Sequence, residues 1–203
     1  MDKGAEQTPE TKGAHTRRAI LDSAIARFGR DGYRTTSVAD IARDASVGGT
    51  VAYAYFPSKE ALFLAAVDED AAGVIHEGLN TVMDDPSLVN WRDTLIFTLV
   101  DAVERHPLAR RLLAGLEPDV TVRVLEIPAL TELRKACTER LRSEQAAGTV
   151  RPDIDPVAIS NGVVALMLSM LMSVVQLGSQ AATTYSRDVA AVFEAALGPI
   201  PPH

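Results

Sequence analysis

Apolar residues recur every three or four positions along most of this chain, which is the spacing of one face of an α-helix. The first such stripe consists of Ile20, Leu21, Ala24, Ile25 and Phe28. A hydroxyl just before a stripe can accept an unpaired backbone N–H, so Thr16 is the predicted cap of this helix. Asp31-Gly32 is expected to end it, because glycine readily adopts the backbone that follows a helix.

Two short helices joined at a steep angle are predicted next. Val38, Ile41, Ala42 and Ala45 give the apolar spacing of the first, and Thr36 or Ser37 can cap it. Ser46-Val47-Gly48-Gly49 breaks that helix, and a second follows over about Gly49 to Phe56. This is the pattern of a helix-turn-helix, whose second helix normally enters the major groove of DNA.

The remainder of the chain predicts a helical bundle. Ser58 caps a long helix after Pro57, and Pro107 and Pro128 fit the first turns of later helices. The predicted helices after the long one cover about 88–106, 107–114, 128–147, 157–177 and 182–197. Val120, Val122 and Val124 alternate as a strand would, but no partner strand is evident, so 118–127 is interpreted as a short helix.

These elements predict an all-α chain in three parts. Residues 1–14 lack apolar periodicity and are expected to form a disordered arm. Residues 15–57 form a three-helix head that carries the helix-turn-helix. Residues 58–203 form a C-terminal helical bundle for ligand binding and dimerisation.

Composition favours this class and a cytoplasmic location. Hydrophobic residues make up 47% of the chain and aromatic residues only 5%, which suits helices better than sheets. The single Cys137 excludes an intramolecular disulfide and fits a reducing compartment. Met1 to Gln7 is polar, without the pattern of a signal peptide.

The net charge of −7 is distributed unevenly. Residues 1–60 carry nine Lys and Arg against eight Asp and Glu, which leaves eleven against nineteen in the remainder. The acidity therefore belongs to the body. Arg17, Arg18, Arg30, Arg34 and Lys59 are the basic residues expected to support salt-dependent DNA binding.

The segment Val157–Leu177 is close to the length that spans a membrane. It contains Ser160, Asn161 and Gln176, and no cluster of Lys or Arg flanks it, so a buried soluble helix is favoured over a membrane span. A helix that is apolar on nearly every side needs cover. We expect 157–177 and 182–197 to pair with the same two helices of a second copy in a homodimer.

The head also resembles a known family. Gly32-Tyr33, Thr36, Ile41-Ala42, Ala45, Val47, Tyr53-Ala54-Tyr55-Phe56 and Lys59-Glu60-Ala61-Leu62 are similar to the N-terminal domain of the tetracycline-repressor (TetR) family over about residues 16–64. The resemblance implies a homodimeric repressor on a pseudo-palindromic double-stranded DNA operator. It also implies a body whose pocket binds a small-molecule inducer that moves the heads apart.

The DNA contacts are predicted to divide into phosphate-binding and base-reading groups. Thr36 or Ser37 at one helix start, the Tyr53 hydroxyl and the Lys59 charge are the predicted phosphate contacts, those of Tyr53 and Lys59 following from the resemblance. Tyr55 and Phe56 are predicted mainly to pack in the head, with a phosphate bond from the Tyr55 hydroxyl as the alternative. Gly49, Thr50, Val51 and Ala54 are the predicted base readers.

This chain departs from the family at three positions. Gly48 replaces the usual serine cap, Thr50 replaces a common glycine, and Ser46 replaces the turn glycine. Ser46 is disfavoured if its φ is positive. No Arg, Asn or Gln lies at a reading position, so contact with thymine methyl groups is the expected mode of reading.

The predicted ligand-binding residues are Trp91, Phe97, His106 and Met167. With few aromatic residues and many Leu, Val and Met, the pocket is expected to take an apolar inducer of unknown identity. We predict no cofactor, no metal and no enzymatic activity, because the histidines lack ligand spacing and no phosphate loop or nucleophile elbow occurs. The alternative is a helical small-ligand-binding or interaction module without sequence-specific DNA binding, supported by the bare Gly48-Gly49 start.

Overall fold

The computed structural model describes residues 12–83, 91–118 and 126–198, and all regular elements in these ranges are helical, as predicted. The helices are α1 (Lys12–Asp31), α2 (Val38–Asp44), α3 (Gly49–Tyr55), α4 (Lys59–Met83), α5 (Trp91–Arg105), α6 (Pro107–Leu113), α7 (Pro128–Ala146), α8 (Pro156–Leu177) and α9 (Ser179–Leu197). The chain divides into two compact units between Ala66 and Val67, called the head and the body below.

The head is built on the apolar face of α1. Ile20, Leu21, Ala24 and Phe28 are buried, and the N–H of Gly32, at φ 85°, bonds to the carbonyl of Phe28 at 2.9 Å. Ser37 caps α2 by accepting the Asp40 N–H at 3.1 Å. Of the two predicted caps, Thr36 and Ser37, the chain uses Ser37, the residue directly before the helix.

Two predicted boundaries of the head and one predicted cap differ from the structure. Helix α1 begins at Lys12, so residues 12–14 are helical rather than part of the arm; residues 1–11 lie outside the described residues. Thr16 is inside α1, where its hydroxyl donates to the Lys12 carbonyl at 2.9 Å. The head extends beyond residue 57 to Ala66 because the start of α4 carries Phe63, whose ring meets that of Phe28 edge-on at 5.0 Å.

Helix α4 otherwise begins as predicted. Ser58 caps it by accepting the Ala61 N–H at 3.0 Å, and the helix continues through Gly73 and Gly78 to Met83. At Gly73 a side chain would collide with the ring of His106, and at Gly78 a Cβ would lie 2.7 Å from Leu99. Both glycines therefore allow α5 and its C-terminal end to pack closely on α4.

The body is organised around α8, which packs against α5, α6, α7 and α9. Asp155 caps it, accepting the Val157 N–H at 2.9 Å. The corner before α8 is fixed by Gln145, whose side-chain amide donates to the carbonyls of Arg151 and Ile154 at 3.1 Å. Val150 is buried against Leu141 and Leu197, so this corner also holds the end of α9.

The remaining predicted ends are close to those observed. Helix α5 begins at Trp91 after residues 84–90, which lie outside the described residues, as do 119–125 with the predicted short helix. Helix α9 begins at Ser179 rather than Ala182, directly after Gly178 at φ 89°. The α7 prediction is confirmed, with Gly148 at φ 74° just beyond its end.

Candidate DNA interface and ligand cavity

The turn between α2 and α3 holds a serine in a left-handed backbone. Ser46 has φ 56° and is the one non-glycine residue with positive φ in the described part of the chain. The Val47 N–H reaches back to the Ala42 carbonyl at 2.9 Å, which closes the turn. The strain expected at this position is therefore present, in a turn closed by backbone hydrogen bonds and followed by the half-buried Val47.

We expect Ser46→Gly to raise the free energy of unfolding by about 0.5–1 kcal/mol, because glycine removes the steric cost but adds disorder to the unfolded chain. Urea unfolding of the full chain measures this. Ser23→Gly, inside α1, is the matched control and is expected to destabilise by a similar amount. Equal destabilisation by both variants would contradict the assignment of strain to Ser46.

Helix α3 presents an exposed face with few polar groups. Ala52 is buried, whereas Gly49, Thr50, Val51 and Ala54 are exposed, and Tyr53 is 53% exposed. Gly48 occupies the cap position without a side-chain hydrogen bond. The surface available to base edges thus consists of a threonine hydroxyl, methyl groups and backbone.

The two hydroxyls at the start of α2 differ in environment. The Ser37 side chain is exposed, donates to the Asp40 carboxylate at 2.6 Å and lowers the pKa of Asp40 through that bond. Thr36 is only 3% exposed and donates its hydroxyl to the Gly32 carbonyl at 2.8 Å. The prediction of Thr36 as a phosphate contact is therefore corrected: its hydroxyl holds the turn after α1.

Lys59 places a positive charge at the N-terminus of α4, the positive end of the helix dipole. It is the first residue of α4, and a cation at a helix N-terminus is unfavourable unless an anion is near. Its ammonium sits 4.5 Å from the centroid of the Tyr33 ring and donates to the Arg34 carbonyl at 3.4 Å.

Tyr55 is half-buried and packs on α1. Its hydroxyl lies 3.4 Å from the point that a Cβ atom would occupy if Gly13 carried a side chain.

Several cations of the head are paired with carboxylates. Arg27 contacts Asp44 at 2.6 Å and lowers the pKa of that carboxyl group by hydrogen bonding. Of the basic residues predicted to support DNA binding, Arg18 pairs with Asp22 at 2.9 Å and Arg30 with Asp31 at 2.8 Å. Arg17 lies over the Phe56 ring at 5.1 Å. The positive field of the head is correspondingly weak.

The body contains a cavity of about 310 Å³ that is lined by apolar side chains and is partly open to solvent; its volume is near the lower end of the size range of small-molecule sites. Helices α4 to α8 and Ile127 contribute to it. Its walls are Ala71, Val74, Ile75, Leu99, Ala109, Leu112, Leu113, Ile127, Leu130, Leu133, Val164, Met167, Leu168, Leu171 and Met172. None of the described residues in this wall carries a polar side chain, so a buried polar group of a ligand would find no side-chain partner among them.

Of the four predicted ligand-binding residues, only Met167 lies in this wall. Trp91 is buried at the start of α5 and donates its indole N–H to Glu144 at 2.7 Å. Phe97 is 57% exposed and lines a different, smaller cavity. His106 lies between two carboxylates. The helical spacing indicated apolar residues, but it did not indicate which face of each helix meets the others.

The surroundings of His106 form a polar cluster that the sequence reading missed. Asp70, buried in α4, accepts the backbone N–H groups of Leu108 and Ala109 at 2.9 Å and faces His106 Nδ1 at 2.8 Å. Glu77 faces His106 Nε2 at 3.1 Å, and hydrogen bonds from Arg105 and then His106 lower the Glu77 pKa. The sequence signal that could have indicated this cluster is Asp70, an aspartate among the apolar positions of α4.

This arrangement defines a class of protein: a DNA-binding helix-turn-helix head followed by a helical body with an apolar cavity. The family model described as bacterial regulatory proteins, tetR family, matches residues 20–66. Over 149 residues the chain is 33% identical to the HTH-type transcriptional repressor Rv1474c of Mycobacterium tuberculosis, covering 70% of this chain and 72% of that protein. The chain belongs to the tetR family of transcriptional regulators.

Other relatives agree with this assignment. The chain is 28% identical over 166 residues to the A-factor receptor protein of Streptomyces griseus, covering 77% of this chain and 54% of the relative. A tetR-family regulator from Mesorhizobium loti has the same fold, with a TM-score of 0.72, 20% identity, and coverage of 93% and 100% of the two chains. The Thermus thermophilus repressor FadR, solved in complex with lauroyl-CoA, also has this fold. Its TM-score is 0.65 at 21% identity, and the match covers 92% of this chain and 98% of FadR.

Proposed function

We propose that this protein is a cytoplasmic transcriptional repressor that leaves a pseudo-palindromic operator when a small apolar molecule enters the body. The observation that carries the proposal is the combination, in one chain, of an exposed α3 on a helix-turn-helix and a cavity whose described lining is entirely apolar. The names of two similar proteins support ligand control: one is called a receptor, and another is a repressor solved with lauroyl-CoA.

On the DNA side, we propose Gly49, Thr50, Val51 and Ala54 as the reading surface. All four are exposed, and the absence of large side chains at Gly48 and Gly49 lets the α3 backbone approach the groove. Methyl groups of Thr50 and Val51 suit thymine. Tyr53, Lys59 and Ser37 are the proposed phosphate contacts, and Tyr55 contributes through its packing on α1.

Tyr53→Phe and Lys59→Ala are each expected to weaken binding to all duplexes by a similar factor, because phosphate contacts carry no sequence information. Lys59→Ala should also reduce the slope of log affinity against log salt by about one. Fluorescence anisotropy with matched and scrambled duplexes at several salt concentrations measures both. Lys135→Ala, an exposed lysine of α7, should change neither. A loss confined to one base position would show that the residue reads sequence.

On the ligand side, we propose that the cavity takes a molecule whose buried part is hydrocarbon. Aliphatic walls offer dispersion contacts and the release of water, but no hydrogen bonds to orient a polar group. Ala71 belongs to α4 and Ala109 to α6, so an occupant contacts the helix that continues into the head.

Ala71→Leu is expected to abolish binding of the uncharged dye N-phenyl-1-naphthylamine, because three added carbons enter the cavity. Dye fluorescence and displacement measure this, and operator affinity without ligand should be unchanged. Ala72→Leu is the matched control, since the neighbouring residue of the same helix does not belong to the cavity wall, and it should retain dye binding. Undiminished dye binding by Ala71→Leu would exclude this cavity as the site.

We further propose that α8 and α9 pair with the same helices of a second copy. Only 28% of the apolar stretch of α8 is buried, although no charged residue occurs in this helix. Its exposed side carries small residues at helical spacing: Ala158, Gly162, Ala165 and Ser169. On α9, Ala191, Val192 and Ala195 are exposed, with Val192 at 58%. Two apolar faces of this kind are the usual basis of a stable dimer.

The deciding experiment is selection of bound duplexes from a random DNA pool at moderate salt. Recovery of a pseudo-palindrome supports the repressor and gives its half-site spacing. Recovery of background sequences alone favours the second candidate, a ligand-binding module without sequence-specific DNA binding. The specific observation in favour of that candidate is the bare start of α3, which has no side-chain cap.

A further inference from the structure

Lys59 is held in place although no carboxylate pairs with it in the described part of the chain. Its side chain is half-buried. The ammonium lies 4.5 Å from the centroid of the Tyr33 ring, within the range of a cation–π contact, and it donates to the Arg34 carbonyl at 3.4 Å. Both contacts come from the turn after α1, so that turn determines where the charge at the start of α4 lies.

The Tyr33 ring is itself fixed by the core of the head. Its centroid lies 4.8 Å from that of Phe63 and 6.1 Å from that of Phe28, and both phenylalanine rings are almost fully buried. Phe63 comes one helical turn after Lys59 in α4, so these two side chains lie on the same side of the helix. Tyr33 therefore fills the space between a core ring and the ammonium.

An aromatic ring holds a cation without cancelling its charge, which distinguishes Lys59 from four arginines of the head. These arginines contact carboxylates at distances between 2.6 and 3.0 Å: Arg18 with Asp22, Arg27 with Asp44, Arg30 with Asp31 and Arg43 with Asp40. Each such pair is close to neutral at a distance, whereas Lys59 keeps its full charge toward an approaching phosphate. The face of the ring also opposes the repulsion between the ammonium and the dipole of α4.

We propose that Tyr33 is a positioning residue for DNA binding: its ring keeps the Lys59 ammonium at the N-terminus of α4, where it meets a backbone phosphate. This role rests on the proposed function, in which Lys59 contacts phosphate. A lysine that already occupies its bound position loses less side-chain freedom when DNA binds. Without the ring, a smaller fraction of the molecules has the ammonium in that position, and the apparent affinity falls in proportion.

Binding of the full chain to a fluorescein-labelled duplex of scrambled sequence, measured by anisotropy at several salt concentrations, tests this role. Tyr33→Leu removes the π face but keeps an apolar contact for Phe63. We expect it to weaken binding about two- to fivefold per head, the factor that an exposed cation–π contact supports. The slope of log affinity against log salt should stay close to that of the wild type, because no charge is lost. Tyr33→Phe keeps the ring and should restore the affinity.

A double-mutant cycle separates positioning from a general effect on the head. In a Lys59→Ala background, Tyr33→Leu should cause no further loss of affinity, because no ammonium remains to be held. A second readout needs no DNA. In the NMR spectrum of the free wild-type protein, the ring current of Tyr33 should shift the Hε protons of Lys59 upfield, and the Lys59→Ala spectrum identifies these signals by their absence.

Three results would overturn the proposed role of Tyr33. Equal losses from Tyr33→Leu in both backgrounds would show that the ring has a structural role alone. Unshifted Hε signals would show that the ammonium does not lie on the ring, and this result is decisive even if the leucine variant does not fold. Shifted Hε signals together with unchanged DNA affinity and salt slope in Lys59→Ala would show that the ring contact exists but that Lys59 does not contact phosphate.

Discussion

Replacing Asp70 by alanine is expected to lower the free energy of unfolding by about 3–5 kcal/mol. The carboxylate is almost fully buried and accepts two backbone N–H groups at the start of α6, and it also faces His106. Removing it leaves those donors without partners inside the protein, and each orphaned group adds its own desolvation cost. Urea unfolding at a fixed protein concentration measures the change, since the stability of a dimer depends on concentration.

Two further variants test the origin of this effect. Asp70→Asn keeps an acceptor oxygen but loses the charge, so an intermediate loss is expected. Glu104→Ala removes an exposed carboxylate paired with Arg110 at 3.3 Å, and surface pairs of this kind contribute less than about 1 kcal/mol. If Asp70→Ala and Glu104→Ala destabilise equally, the buried cluster is not what holds α6 against α4.

Replacing Ala165 by glutamate is expected to convert the proposed dimer to a monomer and to weaken operator binding by at least about a hundredfold. Ala165 is exposed in the middle of α8, so the single chain tolerates the larger side chain. In the proposed interface, however, the substitution places two like charges between closely packed helices. Loss of the link between two heads removes the effective concentration that makes the second half-site bind, a factor of about 10²–10⁴.

Sedimentation velocity and operator titration together measure this prediction. Ala26→Glu is the matched control, because Ala26 is exposed on α1 of the head and lies outside the proposed dimer contact. It should remain dimeric. A monomeric wild-type protein, or a dimeric Ala165→Glu variant, would require a different interface.

The helix-turn-helix could be predicted from the sequence because its signals are local. Apolar spacing, a capping hydroxyl and glycine at a positive φ act within a few residues of each other, so Ser37, Gly32 and Ser58 have the roles that their positions indicate. The strain at Ser46 was also predictable, since the motif sets the backbone that the turn requires.

The ligand side was predicted less well for a physical reason. Apolar periodicity predicts that a residue is covered but not by what, and Trp91, Phe97 and Met167 satisfied the same criterion although Phe97 is 57% exposed. In the folded body, Trp91 binds Glu144, Phe97 lines a second cavity, and Met167 lines both cavities. These outcomes depend on the rotation of each helix about its axis, which is set by contacts between residues distant in the chain.

The sequence by itself determined the all-α class, the order of the helices, the helix-turn-helix and the apolar character of α8. Each of these depends on interactions within one helix or one turn. Only the tertiary structure decided that Thr36 is buried, that the head includes the start of α4, and that Asp70 and His106 meet across 36 positions of the chain. Such contacts form when whole helices pack together, and the energy of that packing has no counterpart in a local pattern.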